Sequence, residues 1–330
     1  MRKYIGNLLL SCIIFCVPGF LYAQEMPAAG GKTYAMPFLS MDISPRNIAI
    51  GGVESVMPSD AYAHFGNVAA VPFSDSFMDA GVSYCMKQPS VQLSNSIAAA
   101  ASLKVGKRMG FTFGLLSDIG RKYNMMDENG IAAGSYTPVD MMAGVGLSYR
   151  AADFVSLGAT LNYAGSRLWG ISGHDGTSDV FFVDVQALFR IGGFSISLSA
   201  ANLGTPVKSV SGISGSLPMN SSAGAGYSVS FGEHLISAGL EAGLFLGGQA
   251  ALLGGAGAEY MFRDMLALRL GYHYGSDNSA VPSYASAGVG IKLSGITLDA
   301  SYLFASDVLK NTFSIGISYT LTNYRSRKQY

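Results

Sequence analysis

The side chains best suited to nucleophilic, acid–base or metal chemistry are few in this chain, and they are scattered. Its four histidines are His64, His174, His234 and His273. Catalysis needs a nucleophile, a base and a group that orients the base. His64 falls in a turn-rich N-terminal stretch, His174 in a long loop, His234 beside a short turn and His273 on one face of a strand, so no such set assembles. No Gly-x-Ser-x-Gly leads into a strand–turn–helix unit. Asp127-Glu128-Asn129-Gly130 resembles a calcium turn but lacks the spacing of an EF-hand loop. Two of the three cysteines, Cys12 and Cys16, lie in an N-terminal apolar stretch, which leaves Cys85 alone with neither a disulfide partner nor zinc-ligand spacing. The expectation is a protein that is not an enzyme and needs no cofactor or metal.

The remaining chemistry is charge. Asp184, Arg190, Glu241, Glu259, Arg269, His273 and Asp299 recur on the polar side of alternating segments. In 266–275, Leu266, Leu268, Leu270, Tyr272 and Tyr274 oppose Arg269, Gly271 and His273. In 312–321, Phe313, Ile315, Ile317, Tyr319 and Leu321 oppose Thr312, Ser314, Gly316, Ser318 and Thr320. Alternation of period two is the mark of a strand with two unlike faces. The same reading places fourteen strands at 77–86, 96–105, 109–117, 138–149, 154–164, 179–190, 194–201, 221–231, 235–246, 249–262, 265–275, 284–293, 296–304 and 312–321. Most are about 9–13 residues, the length a tilted strand needs to cross a bilayer. Short turns, such as Gly192-Gly193 and Ser294-Gly295, alternate with long connections near 87–95, 118–137, 165–178, 202–220, 276–283 and 305–311. The tight Gly247-Gly248 link is the exception.

Composition points the same way. Charged residues make up 13% of the 330, against roughly 25% in soluble proteins. The 21 basic and 21 acidic residues balance, which excludes the basic excess of a nucleic-acid binder. The second faces of the strands are mostly Gly, Ser, Thr and Ala rather than the dense charge of a soluble sheet. The fold class expected is therefore all-β, a transmembrane antiparallel barrel whose oily face meets outer-membrane lipid. Its closure satisfies every backbone group. Charges of both signs on the inner face can pair across the lumen. Gly144, Gly146, Gly224, Gly226, Gly288 and Gly290 are placed inward, where they admit curvature and an inserted segment. Tyr149, Tyr163, Tyr272, Tyr274, Tyr302 and Tyr319 fall near strand ends, as an interfacial girdle requires.

Residues 1–23 read as a secretory signal, with Arg2 and Lys3 ahead of the apolar run Leu8 to Phe15 and a small residue, Ala23, before the cut. Its removal takes two basic residues and no acidic ones, leaving a slight acidic excess. The expected domains are the signal at 1–23, an N-terminal segment at 24–76, the barrel at 77–321 and a periplasmic tail at 322–330.

The segment ahead of the barrel carries Phe38-Leu39, then Ser44-Pro45-Arg46-Asn47-Ile48-Ala49-Ile50-Gly51-Gly52, then Asp60-Ala61 and Asn67-Val68-Ala69. In this it resembles the PorV/PorQ family of Bacteroidetes outer-membrane proteins, relatives of the FadL-like fourteen-stranded barrels. Val68 departs from the family's Asn-Pro-Ala. The resemblance implies a small plug inside or beneath the barrel, with Arg46, Gly51, Gly52, Asp60 and Asn67 as its motif. Arg46, Asp60 and Asn67 are then placed to bond lumen groups such as Glu259 or Arg269. It further implies an accessory in type IX secretion or surface attachment, with secretion components or exported cargo as partners. The alternative is a FadL-type channel for hydrophobic small molecules, with Phe182 and Phe245 in its lumen. A third, weaker reading is a structural barrel that serves partners only as a platform.

Overall fold

The structure is a computed structural model that describes residues 34–87, 94–126, 132–169, 177–208, 214–305 and 309–322. The expected signal at 1–23, His174, the loop at 127–130 and the tail beyond Thr322 lie outside the described residues.

Fourteen antiparallel strands form the wall. They are β1 (Ser76–Lys87), β2 (Ser94–Val105), β3 (Met109–Gly120), β4 (Ala132–Ala152), β5 (Val155–Trp169), β6 (Thr177–Ile191) and β7 (Phe194–Gly204). They continue with β8 (Asn220–Phe231), β9 (His234–Phe245), β10 (Ala251–Phe262), β11 (Leu266–Gly275), β12 (Tyr284–Leu293), β13 (Ile296–Ala305) and β14 (Phe313–Thr322). Each strand pairs with the next, and β1 pairs with β14 with Val82 opposite Ile317, so the sheet closes on itself.

The alternation read from the sequence sorts the two faces. On β11, Leu270 is 67% exposed to the outside while its neighbour Arg269 is 4% exposed. Phe113, Leu161, Ile196, Leu240, Leu298 and Ile317 also point outward. In water this would be a very large apolar patch; in a bilayer it is the lipid face. Tyr149, Tyr272, Tyr274, Tyr302 and Tyr319 stand on that face, whereas Tyr163 is half-buried.

Two expected loops carry more ladder than their composition suggests. Strand β4 begins at Ala132 rather than 138, and Tyr123–Met126 pairs with its start. The Tyr123 and Tyr136 rings stack there at 5.3 Å, and such cross-strand aromatic pairs favour a hairpin over a coil. The connection 202–220 likewise holds a two-residue ladder, Val207–Lys208 with Ser214–Gly215.

Residues 34–75 form no wall strand. They contain a 3-10 turn Pro37–Ser40, the helix α1 (Pro45–Ala49) and 3-10 turns Glu54–Val56 and Val68–Phe73. Helix α1 starts at Pro45, whose fixed φ suits a first helical position, and the Ser44 hydroxyl accepts from Asn47 N at 3.3 Å. It ends at Gly51 and Gly52, with φ of +69° and +83°, a conformation that favours glycine. Helix α1 packs on β11–β14, Glu54–Val56 on β7–β9, and Val68–Phe73 on β2–β6. Ile50 meets Gly257 of β10 and Tyr62 meets Gly81 of β1. A segment that touches every strand of a closed wall lies inside it.

Candidate functional site

The inner segment crosses the barrel from end to end. At the long-loop end, Ala35 N donates to Ser216 O at 2.8 Å, and Tyr34 meets Phe245 edge-on at 5.3 Å. At the short-turn end it runs through Phe73 into β1. Between these ends the lumen glycines let it approach. A Cβ at Gly239 would fall 2.7 Å from Val56 Cγ2, one at Gly288 would fall 2.5 Å from Ala49 Cβ, and one at Gly51 would fall 2.6 Å from the Tyr272 carbonyl oxygen. Gly144, Gly146, Gly224 and Gly226 face the same segment, while Gly290 faces Arg269 and Asp299.

The short-turn half of the lumen is held by paired charge. Arg46 donates from Nε and Nη2 to the two Glu259 oxygens, each at 2.9 Å, and from Nη1 to Pro58 O at 2.7 Å. Its Nη1 also lies 3.5 Å from Asp60. Arg269 Nε donates to Glu259 at 2.6 Å and its Nη1 to Asp299 at 2.5 Å. Burial opposes the charge on Arg46, but the Glu259 and Asp60 carboxylates outweigh it and hold the guanidinium above its ordinary value. Below this relay a vestibule of about 500 Å³ opens among Asp60, Asp79, Arg190 and Lys292. Arg190 stands there 5.5 Å over the Phe73 ring, with Nη2 3.4 Å from Met57 O.

The long-loop half is different. A cavity of about 200 Å³ has Phe38, Leu116, Met142 and Phe182 on its apolar side and Asp42, Glu54, Asp184 and Glu241 among its polar lining. A second cavity, of about 150 Å³, shares Ser40, Asp42, Asn220, Ser222 and Glu241 with the first and reaches Phe245 and His273. Met36, Ile43, Val180 and Leu217 extend the apolar side. Burial, then the neighbouring charge of Glu241, pushes Asp42 up to about 6. Burial, then Asp60, raises Glu54 well above the usual carboxylate range.

The site residues expected from the sequence therefore divide into two groups. Arg46, Glu259, Arg269 and Asp299 meet in one relay with Asp60 beside it. Asp184, Glu241 and His273 line the chamber, and Arg190 lines the vestibule. Asn67 is a correction. Instead of bonding a lumen group, it donates to Ser55 O at 2.6 Å and accepts from Ala69 N at 2.9 Å. It caps the turn that begins at Val68, and an amide this short spends its reach on its own segment. The wall's hold on that stretch comes from Gln186, which accepts from Val68 N at 2.7 Å and donates to Gly66 O at 2.8 Å. Gln186 carries no charge and so gives no signal in the sequence, although it lies two residues from Asp184 on the same face. His64 sits between Thr112 and Asn162, each at 3.0 Å, and burial depresses it to about 4.

No protein-family model and no curated protein sequence matches the chain. Among solved structures it is similar to the toluene transporter TbuX of Ralstonia pickettii, with a TM-score of 0.62 and 12% identity over 87% of this chain and 100% of that one. It is similar to the toluene transporter TodX of Pseudomonas putida, with a TM-score of 0.61 and 14% identity over 88% and 99% of the two chains. It is also similar to a FadL homologue of Pseudomonas aeruginosa, with a TM-score of 0.52 and 12% identity over 84% and 98%. The likeness is one of fold: the chain shares the closed, fourteen-stranded antiparallel barrel of these proteins. None of these neighbours is a PorV or PorQ protein, so the narrower family assignment rests on the sequence motif alone.

Proposed function

We propose that this barrel passes small, largely apolar molecules across the outer membrane. A solute enters from the long-loop end, rests in the chamber, and leaves toward the short-turn vestibule when the inner segment yields. The observation that carries this reading is the chamber itself, a cavity inside the wall with Phe38, Leu116, Met142 and Phe182 on one side. Ligand sites are commonly concave, mainly apolar and equipped with a few placed polar groups. The neighbours named as toluene transporters support the same class of solute. Between chamber and vestibule stands the inner segment, which on this reading acts as a plug. The test is titration of the purified barrel with toluene, combined with uptake into liposomes. Saturable binding that Phe182→Asp weakens is expected. A barrel that neither binds nor passes any small apolar or amphiphilic compound would overturn the reading.

The resemblance to PorV/PorQ proteins supports a second reading, a role in type IX-like secretion or surface attachment of cargo. The residues that carry it argue against a direct contact, because Arg46, Gly51 and Asn67 are buried in internal bonds. A cargo would have to meet the long loops instead. Deletion of the gene should then strand exported proteins in the periplasm, and unchanged surface cargo would remove this reading.

A further inference from the structure

We propose that the inner segment lets a solute through by parting along one seam, and that Gln186 is the latch of that seam. This rests on the passage reading above and says which part of the segment yields. The chamber reaches Glu54, Ser55, Gly66 and Gln186, while the vestibule reaches Pro58, Tyr62, Phe73 and Arg190. The partition between the two spaces is therefore a pair of turns, Glu54–Val56 and Val68–Phe73, with residues 64–67 leading into the second.

Each turn is keyed into its own side of the wall. Ser55 Oγ lies 2.8 Å from Ser197 Oγ of β7 and donates to Glu241 of β9. Val56 fills a notch where a Cβ at Gly239 would fall 2.7 Å from it and one at Gly226 would fall 2.9 Å from it. On the other side His64 is bonded to Thr112 and Asn162 and occupies the space over Gly114 and Gly144. A Cβ at Gly110 would fall 2.7 Å from Val71. Between His64 and Val71 the chain bridges from one key to the next.

The contact between the two turns is thinner and largely polar. Asn67 Nδ2 donates to Ser55 O at 2.6 Å. Gln186 holds the bridge from the wall, accepting from Val68 N at 2.7 Å and donating to Gly66 O at 2.8 Å. Register places this seam over one strand pair. Gln186 and Leu188 of β6 stand opposite Ser199 and Ser197 of β7, so the bridge rests on β6 and the first turn on β7. Along β6 the inward side chains lead from Phe182 and Asp184 in the chamber, past Gln186 and Leu188, to Arg190 in the vestibule. Ala69 and Ala70 cover that line at Leu188. From Gln186 to Arg190 the strand rises ~13 Å, which is the thickness that must open.

The seam yields before the keys for a physical reason. Lifting Val56 or Val71 from its notch exposes apolar surface, and withdrawing Arg46 strands the buried charge of Glu259. Parting the seam exchanges neutral hydrogen bonds for bonds to water entering from the chamber and vestibule, which is a much smaller net loss. One uncharged wall residue that holds both a donor and an acceptor of the bridge thus sets whether the partition is shut.

The test uses the full-length barrel, read by single-channel conductance in planar bilayers and by protease cutting within residues 34–75 in detergent. Gln186→Leu keeps the side chain's size and removes both bonds. Open events should rise about ten- to a hundredfold, while cutting stays at the parent rate because the keys and the relay hold. Asn67→Ser retains a good N-cap but withdraws the reach to Ser55 O, and the same result is expected. Heat-modifiable gel migration verifies folding, and Asn67→Ser decides if Gln186→Leu does not fold. A folded Gln186→Leu barrel as closed as the parent would overturn the proposal, as would open events accompanied by faster cutting, since the segment would then be leaving as a whole. Toluene binding by the parent in either case leaves the passage reading standing. A parent that binds no apolar or amphiphilic compound, with Gln186→Leu opening as expected, would remove the passage reading and leave the seam as a gate for water and ions.

Discussion

Replacing Arg46 with methionine is the most direct way to unseat the inner segment. The side chain makes a two-pronged bond to Glu259 and a third bond to Pro58 O, and Glu259 is 2% exposed. Removing one partner of a buried ion pair costs about 3–5 kcal/mol, because the other charge stays buried. Arg269 still neutralises part of Glu259, which places the expected loss toward the lower end. At 1.4 kcal/mol per tenfold, the population with the segment released rises roughly a hundred- to a few-thousand-fold. The wall itself keeps its full ladder, so the variant should retain heat-modifiable migration. Two assays read the change: single-channel conductance in planar bilayers, and protease cutting within residues 34–75 of the detergent-solubilised barrel. Arg46→Met should show frequent open events and faster cutting. If Arg46→Met is as closed and as protease-resistant as the parent, the relay does not hold the segment, and buried charge is not what secures it.

Other outcomes follow from the same geometry. Gly51→Ala places a Cβ 2.6 Å from the Tyr272 carbonyl at φ +69°; the left-handed backbone alone costs ~1–2 kcal/mol, so protease resistance should fall, and unchanged resistance would mean that the backbones can part. His64 is depressed to about 4 from an ordinary 6.5, so the stability it permits is complete above pH 6.5 and is lost as pH falls through 4, by up to ~3 kcal/mol. Segment release measured from pH 8 to 4 should therefore be less acid-dependent in His64→Gln than in the parent, and identical slopes would refute this. Asp42, raised from 3.8 to about 6, has the opposite sign. Its contribution is complete below pH 3.8 and is lost as pH rises through 6, so Asp42→Asn should hold the segment tighter at pH 8 by ~3 kcal/mol and not at pH 3.5. Leu270→Arg puts a charge on a side chain 67% exposed to lipid, where an arginine costs about 2–4 kcal/mol near the membrane midplane. Folding yield into vesicles should drop, and an undiminished yield would count against the assigned lipid face.

The sequence by itself determined the wall. A strand turns successive side chains to opposite faces, so the order Leu268, Arg269, Leu270 already says which residues meet lipid and which the lumen. Strand number follows from the same pattern and from the rhythm of turns. It fell short inside two loops, where Tyr123 and Tyr136 pair and where Val207–Lys208 pairs with Ser214–Gly215. The motif around Arg46 likewise pointed to a segment whose charges seek partners in the lumen, and Glu259 and Arg269 could be named as candidates from their face alone. Periodicity assigns a face but not a neighbour, and only closure of the sheet decided who meets whom. It brings Arg46 to Glu259 across 213 positions of sequence, turns Asn67 back onto its own segment, and hands that task to the uncharged Gln186. Closure also placed the ion pairs by height, joining Arg46 and Arg269 to Glu259 and Asp299 toward the short-turn end and Lys87 to Asp118 toward the long-loop end. Height in a barrel depends on strand tilt and register, which are properties of the whole ring and are written in no single strand.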